Sequence, residues 1–267
     1  MKIGIVGLGV VGEAVHHGLS RIGHEVIGHD TKLEGSSIER VLDTEVCFIC
    51  VPTKTDDEGI CDTSVVEGVV KELADLGYRG VTTIKSTVTP GLTDRLAARH
   101  PNLRLSFCPE FLRERAAFTD FFENQDVCAI GAYTDEDYAI IEAAHGSIPR
   151  SFSRITPLEA EFVKYFSNVF NAMRVIFANE FYEVCKAAGA DYAKVKDTVV
   201  KRDNIPDAYL DCNENFRGFG GVCLPKDTKA FATYAKQLGL GNLKLFETIV
   251  SENENFKTTV FDGMRLR

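Results

Sequence analysis

No apolar run in this sequence approaches the ~20 residues that a helix needs to span a bilayer, so no membrane segment is expected. Positive charge is also in short supply. Thirty Lys and Arg stand against 39 Asp and Glu, a formal net charge of -9. A chain of that sign repels phosphate backbones, and no local basic patch overrides the mean, so nucleic acid is not expected as a partner. The histidines His16, His17, His24, His29, His100 and His145 show no ligand spacing, and no metal site is expected from them. Eight cysteines are present, but they lack the spacing of a disulfide framework. Cys47 and Cys50 lie in the apolar run Val46-Cys47-Phe48-Ile49-Cys50-Val51. Side chains alternate along a strand, so positions three apart face opposite ways, and this Cys-x-x-Cys makes neither a redox pair nor a zinc knuckle. Most of the others, scattered along the chain, read as small buried apolar residues in a reducing compartment. Met1 to Gly12 is apolar but glycine-rich and has no small-residue cleavage site, so it reads as a strand and turn, not a signal peptide. A cytoplasmic location is the expectation.

What is present is the composition of a globular protein with a real core, 45% hydrophobic and 26% charged. At 267 residues there is room for two domains of ordinary size. The N-terminal segment is the most informative. Lys2 to Val6 is a short apolar strand that runs into Gly7-Leu8-Gly9-Val10-Val11-Gly12, then a helical stretch from Glu13 to Ile22, then a second strand, Glu25 to His29, ending in Asp30. Gly7 permits the tight turn, Gly9 lets the backbone approach a pyrophosphate, and Gly12 allows close packing of helix on strand. The helix N-terminus offers N–H groups and positive dipole to the anion. Asp30 is placed to accept hydrogen bonds from an adenosine ribose and to repel a 2′-phosphate, which favours NAD over NADP. FAD is the main competing ligand. A glycine turn between a strand and a helix, followed by a second strand with a terminal acid, is the context that gives this fingerprint weight.

Strands follow at Val46 to Val51, Val81 to Lys85, Arg104 to Phe107 and Val127 to Gly131, with helices near Thr63 to Leu76, Pro90 to Arg99 and Asp135 to Ala144. This alternation predicts an α/β fold with a Rossmann-like, doubly wound parallel sheet over residues 1–150. Ligands bind such sheets beyond the carboxyl ends of the strands, which places Pro52-Thr53, Ser86-Thr87 and Pro109-Glu110 around one crevice. Residues 151–267 read as an all-helical domain built on one long helix. Thr156, Pro157 and Glu159 mark its start with a cap, a first-turn proline and a capping box. The pattern continues to about Ala188, roughly 45–50 Å, too long for one small core, so it is expected to bridge domains or form a homodimer interface. Lys164 and Asn168, four apart, share one face of it, which fits either a site or a solvated polar face. Further on, Gly218-Phe219-Gly220-Gly221-Val222-Cys223-Leu224-Pro225-Lys226-Asp227 concentrates glycine ahead of a cysteine near a helix start. A cation and a helix dipole stabilise a thiolate in such a place; a structural turn with a buried cysteine is the other reading.

Together these segments resemble the UDP-glucose/GDP-mannose dehydrogenase family of NAD-dependent nucleotide-sugar dehydrogenases. The resemblance rests on Gly7 through Gly12, Val51-Pro52-Thr53, Lys85-Ser86-Thr87-Val88, Cys108-Pro109-Glu110-Phe111-Leu112-Arg113-Glu114, Glu161 through Asn168, and Gly218 through Asp227, six blocks in the family's order. It implies oxidation of a sugar's primary alcohol to a carboxylate in two NAD-linked steps, through a cysteine thiohemiacetal and thioester. By this resemblance Cys223 is the nucleophile, Lys164 and Asn168 stabilise an oxyanion, Asp227 assists proton removal, and Glu110 is the base for thioester hydrolysis. Thr87 and Glu114 line the nicotinamide end, with Lys226 near the cofactor. Gly7, Gly9, Val10, Val11, Gly12, Asp30, Val51, Pro52, Thr53 and Ser86 complete the cofactor set. Glu110, Phe111, Leu112, Arg113, Lys164, Asn168, Phe216, Arg217, Gly218, Phe219 and Gly220 are the substrate set.

The sequence also departs from the family's pattern. Family members carry a third, C-terminal domain that grips the nucleotide, whereas this chain stops at Arg267, as a short form or a fragment would. The segment between Asp30 and Val46 is short, Gln125-Asp126-Val127 stands where Pro-Asp-Arg is common, and Arg115 replaces a glycine. Ile205-Pro206-Asp207-Ala208 stands where the family has an Arg-Ile-Gly whose arginine helps hold substrate, and Arg217 and Arg202 are candidates to take its place. Two other readings compete: a two-electron 3-hydroxyacid-type dehydrogenase that needs no cysteine, and a non-catalytic NAD-binding module.

Overall fold

The computed structural model describes residues 1–256. The chain forms two compact units. One comprises Met1–Lys54 with Cys61–Lys164; the other comprises Thr55–Ile60 with Tyr165–Arg267, of which 257–267 lie outside the described residues.

The first unit is built on strands β1 (Lys2–Val6), β2 (Glu25–His29), β3 (Val46–Ile49), β6 (Val81–Ile84), β7 (Arg104–Phe107), β8 (Cys128–Ala132) and β9 (Phe152–Ile155). A two-stranded ribbon of β4 (Lys54–Thr55) and β5 (Cys61–Asp62) interrupts them. Helices α1 (Val10–Arg21), α2 (Ser64–Asp75), α3 (Leu92–Arg99), α4 (Ala117–Phe122) and α5 (Asp135–His145) lie between strands. The seven-stranded sheet has the order β2-β1-β3-β6-β7-β8-β9. Order reverses between β1 and β3, the switch point where doubly wound sheets bind their ligands.

Alternation along each strand divides the core in two. Cys47 and Ile49 point to one face with Val66, Val70, Leu73, Leu92 and Leu96 from α2 and α3. Val46 and Phe48 point to the other, with Ala14, Val15 and Leu19 from α1, Phe121 from α4 and Ile141 from α5. Both strand faces are covered, as parallel sheets require, and each fully buried side chain of this kind contributes about 1.5–3 kcal/mol. Cys50 packs with the second cluster and Cys47 with the first, so the two thiols do face opposite ways.

One pairing differs from an all-parallel sheet. β8 runs antiparallel to β7, in the register Phe107↔Gly131. Large, mostly parallel sheets commonly carry an antiparallel strand toward one edge. β9 was not expected either. It pairs parallel with β8, so the segment after residue 150 is not wholly helical.

Helix α6 (Pro157–Ala187) is continuous for 31 residues, about 46 Å at the α-helical rise. The capping box forms as its sequence requires: Thr156 N–H donates to Glu159 Oε2 at 2.7 Å, and Glu159 N–H to Thr156 Oγ1 at 3.3 Å. The second unit continues with α7 (Tyr192–Val199), α8 (Cys223–Gln237) and α9 (Leu245–Phe256). Its core gathers Val169, Ala172 and Ile176 of α6 with Phe219 and Ile249. Within this unit the segment Thr55–Ile60 bonds to α8: Lys229 Nζ donates to Asp57 O at 2.6 Å and Thr233 Oγ1 to Glu58 O at 3.0 Å. Among the described residues no helix is long and apolar enough to cross a membrane.

Candidate active site

In the first unit, the turn after β1 leaves no room for side chains at Gly7 and Gly12. Gly7 sits at φ +92°, and a Cβ there would meet the Cys50 and Val51 backbone at 2.8–2.9 Å. A Cβ at Gly12 would lie 1.9 Å from Gly7 O, whereas one at Gly9 would meet nothing within 4 Å. Gly9 caps α1 with no side-chain hydrogen bond, so the opening amides of the helix are left to an external acceptor. Asp30 is held beside this turn: Oδ2 accepts from Leu8 N–H at 2.8 Å and Oδ1 from Lys32 N–H at 2.9 Å. Backbone hydrogen bonds from Lys32 and Leu8 keep its carboxyl below the usual aspartate range, so it is charged where it faces the turn. Helix α1 starts at Val10, three residues before the expected Glu13, and takes exposed Val10 and half-buried Val11 into its first turn.

At the ends of β3 and β6, Val51 is buried, Pro52 exposed and Thr53 half-buried. Ser86 is buried and its hydroxyl donates to Val51 O at 2.6 Å, so it ties the end of β6 to the end of β3. Thr87 beside it is half-exposed.

Two cations converge on Glu110, which is 5% exposed. Lys85 Nζ lies 3.7 Å from Glu110 Oε2, and Lys164 Nζ donates to the Glu110 carbonyl. Glu110 Oε1 accepts from Phe111 N–H at 2.9 Å, while Oε2 makes no hydrogen bond. Lys164 also lies over the Phe111 ring, 5.6 Å from its centroid. Lys164 and Asn168 are both buried, so they do not form a solvated polar face. Lys85 was absent from the expected site set. Burial opposes its charge, but Cys108, Glu110, Cys128 and Cys50 together outweigh burial and hold its pKa above the usual lysine range. Of the residues after Glu110, Phe111 and Leu112 are half-buried and Glu114 is exposed. Arg113 turns to Asp120 with two hydrogen bonds of 2.7–2.8 Å.

In the second unit, Asn168 Nδ2 donates to Asp227 Oδ2 at 2.6 Å, and Lys226 Nζ binds Asp227 Oδ1 at 2.5 Å. Asp227 is wholly buried. Cys223 opens α8 and is exposed, unlike the buried cysteine of a purely structural turn. The glycine loop ahead of it is clamped by two buried asparagines that sequence reading missed. Asn179 Oδ1 accepts from Arg217 Nε at 2.7 Å and Gly218 N–H at 3.1 Å. Asn253 binds both backbone groups of Phe219, accepting from its N–H at 2.7 Å and donating to its carbonyl at 2.9 Å. Gly218 and Gly221 take positive φ, 66° and 76°, as the loop turns. Phe216 is exposed, Gly220 half-buried, and Gly218 and Phe219 buried. Arg217 is buried, paired with Glu183 and stacked on Tyr182, so its guanidinium already has partners within the fold.

The NAD binding domain of the UDP-glucose/GDP-mannose dehydrogenase family matches residues 31–148, and the family's central domain matches residues 158–255. The GDP-mannose 6-dehydrogenase of Pseudomonas aeruginosa is 28% identical over 98% of this chain and 70% of its own length. The UDP-glucose 6-dehydrogenase TuaD of Bacillus subtilis is 32% identical over 83% of this chain and 49% of its own. Among solved structures, a UDP-glucose dehydrogenase from Pyrobaculum islandicum superposes with a TM-score of 0.87 at 29% identity, covering 95% of this chain and 68% of that one.

Proposed function

The chain belongs to the UDP-glucose/GDP-mannose dehydrogenase family, and from that membership we propose that it oxidises the primary alcohol of a nucleotide sugar to a carboxylate through Cys223. It is an NAD-dependent dehydrogenase. The residues of the first unit fit the dinucleotide: a glycine turn open at Gly9, uncapped amides at the start of α1, and a charged Asp30. Gly7, Gly9, Gly12 and Asp30 would hold NAD, with Val51, Pro52, Thr53, Ser86 and Thr87 at the neighbouring strand ends. NAD, when bound, supplies the hydride acceptor for each oxidation.

The chain's own residues supply the remaining chemistry. The Cys223 thiolate adds to the aldehyde carbon, forming a C–S bond and a thiohemiacetal. Its oxidation leaves a thioester, and water, relieved of a proton by Glu110, breaks the C–S bond to release carboxylate and thiol. Lys164 and the Asn168 amide stabilise the oxyanion, and Asp227 takes the alcohol proton. The single observation that carries this reading is the first turn of α8: exposed Cys223 opens it, and Lys226 and Asp227 follow, with Asp227 bonded to Asn168.

A second copy of the chain is the proposed partner of α6. Phe166, Phe170, Phe177 and Phe181 are all exposed on this helix, at the four- and seven-residue spacings that keep side chains on one face. Phe166 is 74% exposed.

The test is to count NADH against carboxylate formed from UDP-glucose and GDP-mannose. Cysteine chemistry gives two NADH per carboxylate, and Cys223→Ala makes no carboxylate. One NADH per substrate, unchanged in the variant, would point to the two-electron reaction; NAD binding with no turnover would point to a non-catalytic module.

A further inference from the structure

We propose that Cys108, Cys128 and His145 form a buried binding site for a thiophilic divalent metal ion, zinc by its donor set. It lies wholly within the first unit, and none of its ligands takes part in the proposed reaction. Cys108 follows β7, Cys128 opens β8 and His145 ends α5. Their exposures are 0%, 1% and 0%, and one ligand atom from each lies within 4.8 Å of the others.

The imidazole points to a ligand. His145 Nδ1 lies 2.8 Å from the carbonyl of Ile141, which can only accept, so Nδ1 carries the proton. Nε2 is then a lone pair in the core, turned away from any backbone group and within reach of the Cys108 thiol. Metal-bound histidines have this arrangement, one nitrogen on the ion and the other donating to a carbonyl.

The sulfurs have the spacing of zinc ligands. Cys108 Sγ and Cys128 Sγ are 3.6 Å apart. Two thiolates about 2.3 Å from a tetrahedral zinc stand roughly 3.7 Å from each other. Both cysteines are unpaired by any disulfide.

Charge also balances. Lys85 Nζ donates to Cys108 Sγ at 3.4 Å, and the Glu110 carboxylate offsets its charge from 3.7 Å. Two thiolates neutralise a divalent ion, so the buried set carries no net charge. Binding replaces two S–H bonds with two metal–sulfur bonds and releases both protons to solvent. The ion would tie β7 to β8 and α5 immediately before Pro109-Glu110 and so hold the Glu110 loop in place.

The full chain, grown with zinc and dialysed, is assayed by elemental analysis. About one zinc per chain is expected, lost in Cys128→Ala and retained in Cys47→Ala, which removes a buried thiol elsewhere. Because Cys128→Ala can itself disturb folding, cobalt(II) substitution of the unaltered protein is the second readout. It should give thiolate-to-cobalt charge transfer. Zinc far below one per chain, zinc retained in Cys128→Ala, or a cobalt spectrum without thiolate charge transfer overturns the site.

Discussion

Asn168 on α6 donates to the wholly buried carboxylate of Asp227 on α8 at 2.6 Å, and Lys226 holds the other oxygen of that carboxylate. The amide is thereby oriented by the acid, and the acid is kept between a neutral donor and a cation. Asp227→Ala leaves both donors without their acceptor and should destabilise the protein by about 1–3 kcal/mol. Asp227→Asn keeps the shape and should cost less. Urea denaturation of the two variants checks the order. Equal stability of wild type and Asp227→Ala would mean that the contact contributes nothing to folding.

The glycine turn offers a separation of folding from binding. Gly12→Ala puts a methyl 1.9 Å from Gly7 O, a backbone atom that cannot swing away, so the helix must shift and the melting temperature should fall. Gly9→Ala meets nothing within the chain, so its melting temperature should hold. Its methyl would occupy the face offered to the pyrophosphate, and NAD affinity should drop about tenfold or more, at least 1.4 kcal/mol. Thermal melts with and without NAD distinguish the two. Undiminished NAD affinity in Gly9→Ala would remove the pyrophosphate from this turn.

Acid stability should depend on Asp120. The Arg113 guanidinium hydrogen-bonded to it brings its carboxyl down to about 2. An aspartate lowered in the folded state contributes stability above its unfolded pKa, near 3.9, and loses it as pH falls toward 2. Arg113 is half in solvent, which screens the contribution to about 1 kcal/mol. Between about pH 5 and pH 2 the wild type should lose more stability than Asp120→Asn, measured by denaturant midpoints across pH. Parallel losses in the two proteins would contradict this assignment.

The loop that presents Cys223 depends on Asn253. Its amide satisfies both the N–H and the carbonyl of Phe219 inside the core. Asn253→Ala leaves two buried backbone groups without partners, a loss of about 2 kcal/mol or more. Asn253→Asp keeps the acceptor but loses the donor and should fall between wild type and alanine. Hydrogen exchange at Phe219 N–H reads the effect directly, and unaltered protection in Asn253→Ala would show that the loop holds itself.

The motifs legible in the sequence are those whose parts lie within one turn or one strand–turn–helix unit. Gly7, Gly9 and Gly12 with Asp30 declare the dinucleotide turn because strand, turn and helix follow one another along the chain. Thr156 and Glu159 declare the start of α6 because a capping box lies within four consecutive residues. β9 escaped notice because Phe-Ser-Arg-Ile is a short, partly exposed edge with no strong pattern. The reversal of β8 escaped because the apolar pattern of a strand reads the same in either direction.

The order of glycines, caps and apolar runs determined by itself that this chain folds around a dinucleotide-binding sheet followed by a long helix, since periodicity and turn chemistry act between near neighbours. Only the tertiary structure decided that Lys85 stays charged in the core, that Asn253 grips Phe219 from 34 residues away, and that Cys108 meets Cys128 across 20 residues. Such pairings depend on which strands lie side by side, and that is settled when the whole hydrophobic core closes, not by any local stretch of residues.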